Sequence, residues 1–212
     1  MNHLLTAPTA PRALYVCAHG AGAGMRHAFL ELLARGLAAR DVATFRYEFP
    51  YMEQRKHRVD PPAVAAARVR EAVAEAARLV PGVPVFAGGK SFGGRMTSTA
   101  QATSPLEGVR GIVFLGFPLH PPARPGVERA EHLSRVEVPM LFLQGSRDEF
   151  AQLDLLRPVV AGLGARATLQ QFEGGDHSFK AKGKTPDVVL TELCETIARW
   201  MEAVGRASLT PA

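Results

Sequence analysis

The chain has 212 residues, a formal net charge of +5, 47% hydrophobic residues and 21% charged residues. These proportions belong to an ordinary soluble globule with a real core, and no apolar run reaches membrane-spanning length. Arginine supplies most of the positive charge and is dispersed along the chain, which is surface composition and not a nucleic-acid footprint.

The first residues, Met1 to Arg12, lack a basic segment leading into an apolar stretch, so no signal peptide is expected. Ala13 to Ala18 then reads as a strand. It is followed by a small-residue loop, His19-Gly20-Ala21-Gly22-Ala23-Gly24, and by a helix over Arg26 to Ala38. Val42 to Tyr47 reads as a strand. A long loop over Glu48 to Pro62 carries the basic cluster Arg55-Lys56-His57-Arg58, read as a solvated loop, with a patch that attracts anionic substrates at the mouth of the site as the alternative. Ala63 to Val80 is a long amphipathic helix, with Val69, Val73, Ala76 and Val80 on one stripe and Arg68, Glu71, Glu75 and Arg78 on another. Val83 to Ala87 is a strand leading into Gly89-Lys90-Ser91-Phe92-Gly93 and a helix-compatible run after it.

Strands follow at Val109 to Leu115 and Val138 to Leu143, with a short helix near Val127 to Leu133 between them. A proline-rich loop over Gly116 to Gly126 separates the first of these strands from that helix. A helix near Leu153 to Leu163, a strand at Ala167 to Phe172 and a last helix over Asp187 to Val204 complete the chain. In the last helix Val189, Leu193, Ile197, Trp200 and Val204 form the apolar stripe, Thr185 is a candidate N-cap and Pro186 suits the first turn. Alternating β and α units, with strands that are continuous apolar runs, give an α/β fold. The expected architecture is a three-layer sandwich: a mostly parallel sheet of about six strands with helices on both faces. No linker or repeat divides the chain, so residues 1–212 read as one domain. Cys17 and Cys194 lie far apart inside regular elements and read as buried free thiols of a cytoplasmic protein.

The chemistry is concentrated at Ser91. Gly-x-Ser-x-Gly between a strand and a helix is a nucleophile elbow: a sharp turn that exposes a hydroxyl at the sheet's C-terminal edge. Serine is a weak nucleophile and needs a base within hydrogen-bond reach. His177, in Gly174-Gly175-Asp176-His177 just past the last strand, is the candidate base. Asp148, just past the strand that ends near Leu143, is the candidate acid that orients it. Glu149 and Asp154 are the alternatives to Asp148, and Asp176 reads as a turn residue. The order Ser…Asp…His is that of the α/β-hydrolases. A tetrahedral intermediate also needs amide donors for its oxyanion. The Phe92 N–H is one, and Ala21 in the small-residue loop is assigned as the other, with His19 bracing that loop.

On the residues His19-Gly20-Ala21-Gly22, Gly89-Lys90-Ser91-Phe92-Gly93, Asp148 and Asp176-His177, the chain resembles small bacterial α/β-hydrolases of the dienelactone-hydrolase-like and esterase-like kind. The resemblance implies a Ser-His-acid triad, an acyl-enzyme intermediate and no cofactor or metal. Its His-Gly-Ala-Gly loop is similar to the oxyanion loop of monoacylglycerol-lipase-type members, which supports Ala21. Dienelactone hydrolases themselves carry cysteine where this chain has Ser91. Because so few residues precede the first core strand, a reduced sheet with all strands parallel is expected.

The functional expectation is a serine hydrolase acting on a small acyl ester or thioester, with no nucleic-acid or membrane partner and an oligomeric state the sequence does not reveal. The two long loops are expected to wall the pocket, and the lack of a lid-sized insertion points to short acyl groups. One rival reading takes Gly89-Lys90-Ser91 as the end of a phosphate loop. That loop needs its first glycine at position 84, which is Pro84. A second rival is a non-catalytic binding protein on the same fold.

Overall fold

In a computed structural model, which describes residues 1–207, the apolar runs assemble into one seven-stranded sheet. The strands are β1 (His3–Thr6), β2 (Ala13–Ala18), β3 (Val42–Tyr47), β4 (Val85–Lys90), β5 (Val109–Leu115), β6 (Met140–Gly145) and β7 (Ala167–Phe172), and their spatial order is β1-β3-β2-β4-β5-β6-β7. From β3 to β7 every pairing is parallel. The helices are α1 (Ala28–Ala38), α2 (Pro50–Glu53), α3 (Pro62–Leu79), α4 (Phe92–Thr103), α5 (Leu153–Gly162) and α6 (Pro186–Ala207), and the short helix expected near Val127 to Leu133 is a 3-10 helix over Glu128–Arg135.

The layers follow from residue alternation along each strand. Tyr15 and Cys17 of β2, Val113 and Leu115 of β5, and Leu141 and Leu143 of β6 face α1 and α6, where Leu30, Leu33, Leu193 and Ile197 meet them. Leu14 and Val16 point the other way, onto Val69, Val73 and Met96 of α3 and α4. Ile112, Phe114 and Phe142 extend that second face to Leu133 of the 3-10 segment and to Leu156 and Val160 of α5. A sheet with both faces covered explains why its strands read as unbroken apolar runs. Cys17 and Cys194 are buried and unpaired.

Two expectations need correction. The mostly parallel sheet is as expected, but its strands are not all parallel: β1 runs antiparallel to β3, pairing His3 with Tyr47 and Thr6 with Thr44. Four residues are too few to carry a legible alternation, but the strand satisfies the edge of β3, and His3 stacks on Phe45 with ring centroids 4.8 Å apart. The central strand β4 also continues beyond Ala87 through both glycines to Lys90. A Cβ on Gly88 would lie 2.0 Å from the Val113 oxygen, and one on Gly89 2.2 Å from the Ala18 oxygen. Gly88 and Gly89 sit at φ +148° and +146°, and with no Cβ they let β2 and β5 close against β4 just before the elbow.

Candidate active site

The turn from β4 into α4 holds Ser91 at φ +49°, ψ −116°. A non-glycine residue at positive φ is strained, so its surroundings must over-determine it. They do: the Ser91 N–H donates to Leu115 O at 3.1 Å, and its carbonyl accepts from Arg95 N at 3.1 Å. A Cβ on Gly93 would stand 2.5 Å from His19 O, and one on Gly94 2.7 Å from Gly89 O. Only glycine at these two positions lets α4 begin so close to β2 and β4.

Asp148 follows β6 and is buried, with its side chain fully shielded from solvent. Its Oδ1 accepts from Phe150 N at 2.8 Å, and its Oδ2 accepts from Gln144 Nε2 at 2.5 Å. His177 follows β7. Its Nδ1 lies 2.7 Å from Asp148 Oδ2, and its Nε2 lies 2.9 Å from Ser91 Oγ. An ionised carboxylate only accepts, so the proton belongs on Nδ1 and the Nε2 lone pair faces the Ser91 hydroxyl. Three side chains from three separate loops thus form one continuous hydrogen-bonded chain. The alternatives stand apart from it. Glu149 is exposed, and Asp154 accepts from Leu155 N at 3.1 Å in the first turn of α5. Asp176 is the turn residue expected, its Oδ1 accepting from Ser178 N at 2.8 Å and Lys180 N at 2.9 Å.

The small-residue loop after β2 packs beside the elbow, where a Cβ on Gly20 would be 3.8 Å from Ser91 Cβ. His19 is fully buried, and burial holds its pKa below the ordinary value, so the ring is neutral. Its Nδ1–H donates to Gly20 O at 2.8 Å while Nε2 accepts from Phe49 N at 3.2 Å. Tyr51 Oη accepts from Gly22 N at 3.0 Å, and Glu48 Oε1 accepts from Met25 N at 3.1 Å. Among the described residues no acceptor takes the N–H of Ala21 or of Phe92, which leaves both amides available to a ligand. The phosphate-loop alternative would have to begin at Pro84, which has no N–H to offer a phosphate and whose carbonyl is engaged by Leu14 N at 2.9 Å at the start of the sheet.

A cavity of about 630 Å³ opens onto Ser91 and His177. Its walls are Phe29 and Leu30 of α1, Phe150, Phe179, and Val189 and Leu193 of α6. Neither long loop lines it, contrary to expectation, and the exposed Arg55–Arg58 cluster lies outside the lining. Both loops brace the site from behind. Glu48–Pro62 supplies the contacts to the His19–Met25 loop. Gly116–Gly126 supplies buried His120, whose Nε2 accepts from Gln152 N at 3.2 Å and whose N–H donates to Phe150 O at 3.0 Å.

Sequence reading missed Gln144 and left the role of Lys90, beside the elbow, open. Gln144 is fully buried; besides donating to Asp148 it accepts from Phe117 N at 2.8 Å. A lone glutamine at the end of an otherwise apolar strand, Met140-Leu141-Phe142-Leu143-Gln144, was the available signal. Lys90 is part-buried and donates to the backbone oxygen of His177 at 2.6 Å. Burial brings its pKa down to about 8, against the opposing pull of Asp148 and Asp176.

A family model described as an alpha/beta hydrolase domain matches residues 11–202. The chain belongs to the alpha/beta hydrolase family. Solved structures agree with that fold. A dienelactone hydrolase from Anabaena variabilis superposes with a TM-score of 0.74 at 20% identity, over 95% of this hydrolase and 90% of that chain. An alpha-beta serine hydrolase homologue from Coxiella burnetii gives 0.72 at 18% identity, over 93% and 89%. XC6422 from Xanthomonas campestris, a serine hydrolase without lid, gives 0.72 at 17% identity, over 99% and 90%. At these identities the likeness establishes the fold. Among the described residues of this hydrolase, no helix is long and apolar enough to cross a membrane, and no three His, Cys, Asp or Glu side chains gather as metal ligands.

Proposed function

We propose that this hydrolase is a serine esterase or thioesterase that cleaves small acyl substrates through a Ser91-His177-Asp148 triad. The observation that carries the reading is the chain of contacts from Ser91 Oγ to His177 Nε2 at 2.9 Å and from His177 Nδ1 to Asp148 Oδ2 at 2.7 Å. His177 takes the Ser91 proton as Oγ attacks the acyl carbonyl. Asp148 holds the imidazole in the required tautomer and stabilises the imidazolium. The free amides of Phe92 and Ala21 receive the developing oxyanion. His177 then protonates the leaving alcohol or thiol, whose departure leaves an acyl group on Ser91. Water, deprotonated by the same histidine, releases the acid. The neighbours described as a dienelactone hydrolase and serine hydrolases lend the same reading their weight. The two buried thiols fit the reducing cytoplasm in which we place the protein.

The test is labelling with a fluorophosphonate probe, peptide mapping, and turnover of p-nitrophenyl esters of increasing acyl length. The expected result is a single adduct on Ser91, hydrolysis that favours short chains, and loss of both in Ser91→Ala with the fold retained. An inert Ser91 in the folded protein would replace this reading with that of a binding protein on a hydrolase scaffold.

A further inference from the structure

Lys90, the residue before the serine, is unused by the steps above, yet its burial is costly. A lysine taken from water loses hydration that only well-placed partners restore. Its stem passes Gly20, where a Cβ would come within 3.4 Å of Lys90 Cγ. Its Nζ lies 5.6 Å from the centroid of the Phe179 ring. The amine ends on the His177 carbonyl, 2.6 Å away. Gly116 shows how tightly this corner closes. It sits at φ +71°, and a Cβ there would meet Lys90 Nζ at 3.0 Å and His177 Nδ1 at 3.3 Å. The ammonium and the imidazole therefore share the space above one glycine, beside the contact between His177 and Asp148.

Resting on the triad reading, we propose that Lys90 is a positioning residue: its ammonium fixes the backbone of His177 so that Nε2 stays aimed at Ser91. No other side chain among the described residues donates to that carbonyl. His177 sits on a loop between β7 and α6, where the imidazole's aim depends on the main chain beneath it. The clamp is a charge-assisted bond at neutral pH and becomes a weaker neutral one when the amine loses its proton. The groups facing Nζ are Asp148 from the loop after β6 and Asp176 and His177 from the loop after β7; both carboxylates favour the charged amine, while burial opposes it. Burial prevails and sets the change near pH 8, inside an accessible range.

The experiment is the rate of Ser91 labelling by a fluorophosphonate probe between about pH 6 and pH 10, with wild type, Lys90→Met and Lys90→Arg, each checked by thermal melting. Lys90→Met is expected to label roughly tenfold more slowly at neutral pH, the loss of about one charge-assisted hydrogen bond from the reactive geometry. Wild type is expected to slow as the pH passes about 8, whereas Lys90→Arg recovers much of the rate and shows no decline there, because guanidinium keeps its charge. Wild-type rate and pH profile in Lys90→Met, with the adduct still on Ser91, would overturn the role of Lys90 and leave the triad intact. If Lys90→Met does not fold, the wild-type profile decides, and a rate that is level through pH 8 overturns the proposal. A wild-type protein that takes no label at Ser91 would instead remove the triad, and the clamp with it.

Discussion

Replacing Gln144 separates two functions that one amide performs. Its Oε1 takes the buried Phe117 N–H at 2.8 Å, and its Nε2 gives Asp148 Oδ2 a donor at 2.5 Å. Gln144→Leu removes both. The orphaned Phe117 N–H costs about 1–3 kcal/mol, and the bond to a charged acceptor is worth about 1.5–3 kcal/mol. Leucine returns part of this in apolar contact, so a net loss of about 3 kcal/mol is expected, a large share of a typical stability of roughly 5–15 kcal/mol. Gln144→Glu keeps the shape and the acceptor for Phe117 but sets a second carboxyl group against Asp148. Two carboxyls at that distance repel when both are ionised and are best accommodated with one proton between them. While the introduced group holds that proton it still donates to Asp148, and the relay is preserved. Once the proton leaves, repulsion between the carboxylates disrupts it. The assay pairs urea denaturation with kcat/KM for p-nitrophenyl acetate across pH. The expected pattern is an unstable Gln144→Leu, and a Gln144→Glu whose activity approaches wild type in acid and falls away with rising pH. A Gln144→Leu protein as stable and active as wild type would refute the reasoning.

Other outcomes follow from the same geometry. Asp148→Asn should leave the fold in place and lower kcat on the order of 10⁴-fold, the cost of the same swap in a serine-protease triad, because the imidazole then adopts the wrong tautomer; full activity on p-nitrophenyl acetate would show that another acid serves His177. Gly89→Ala should prevent folding at ordinary temperatures, since its Cβ would stand 2.2 Å from Ala18 O at φ +146°, and a melting curve near wild type would contradict the strand spacing described. His132 bears on pH. Burial, with Arg95 and Arg135 nearby, lowers its pKa from 6.5 to about 4. As pH falls below 6.5 the unfolded chain accepts a proton that the folded chain refuses until about 4, so stability declines across that window and is unaffected by this group above it. Allowing for partial exposure, the decline is on the order of 2 kcal/mol, and His132→Gln should flatten the urea midpoint between those limits.

The sheet's parallel core was legible because each strand is covered on both faces and so reads as an unbroken apolar run. The meeting of Ser91, Asp148 and His177 at one place was legible for a related reason. Strand-to-helix turns at one edge of such a sheet collect ligand-binding groups, so Ser91, Asp148 and His177 could each be placed by the strand they follow. Short-range pattern has no access to what was missed. β1 is too short to show alternation, and its partner β3 lies beyond β2 in the chain. The pocket walls depend on how α1 and α6 pack over the sheet, which loop length does not encode. Gln144 and Lys90 lie at strand ends, where a polar residue is the usual composition of an edge; only tertiary packing turns them inward onto Asp148 and His177.

β7 occupies the far margin of the sheet, bonded along one flank to β6 and half-exposed along its length. His177 hangs from it, whereas Ser91 is anchored in the middle of the sheet. Marginal strands open at lower free energy than central ones. Heating should therefore peel His177 away from Ser91 while the bulk of the protein still gives its native circular dichroism, so that, on the proposed mechanism, thermal inactivation outruns melting.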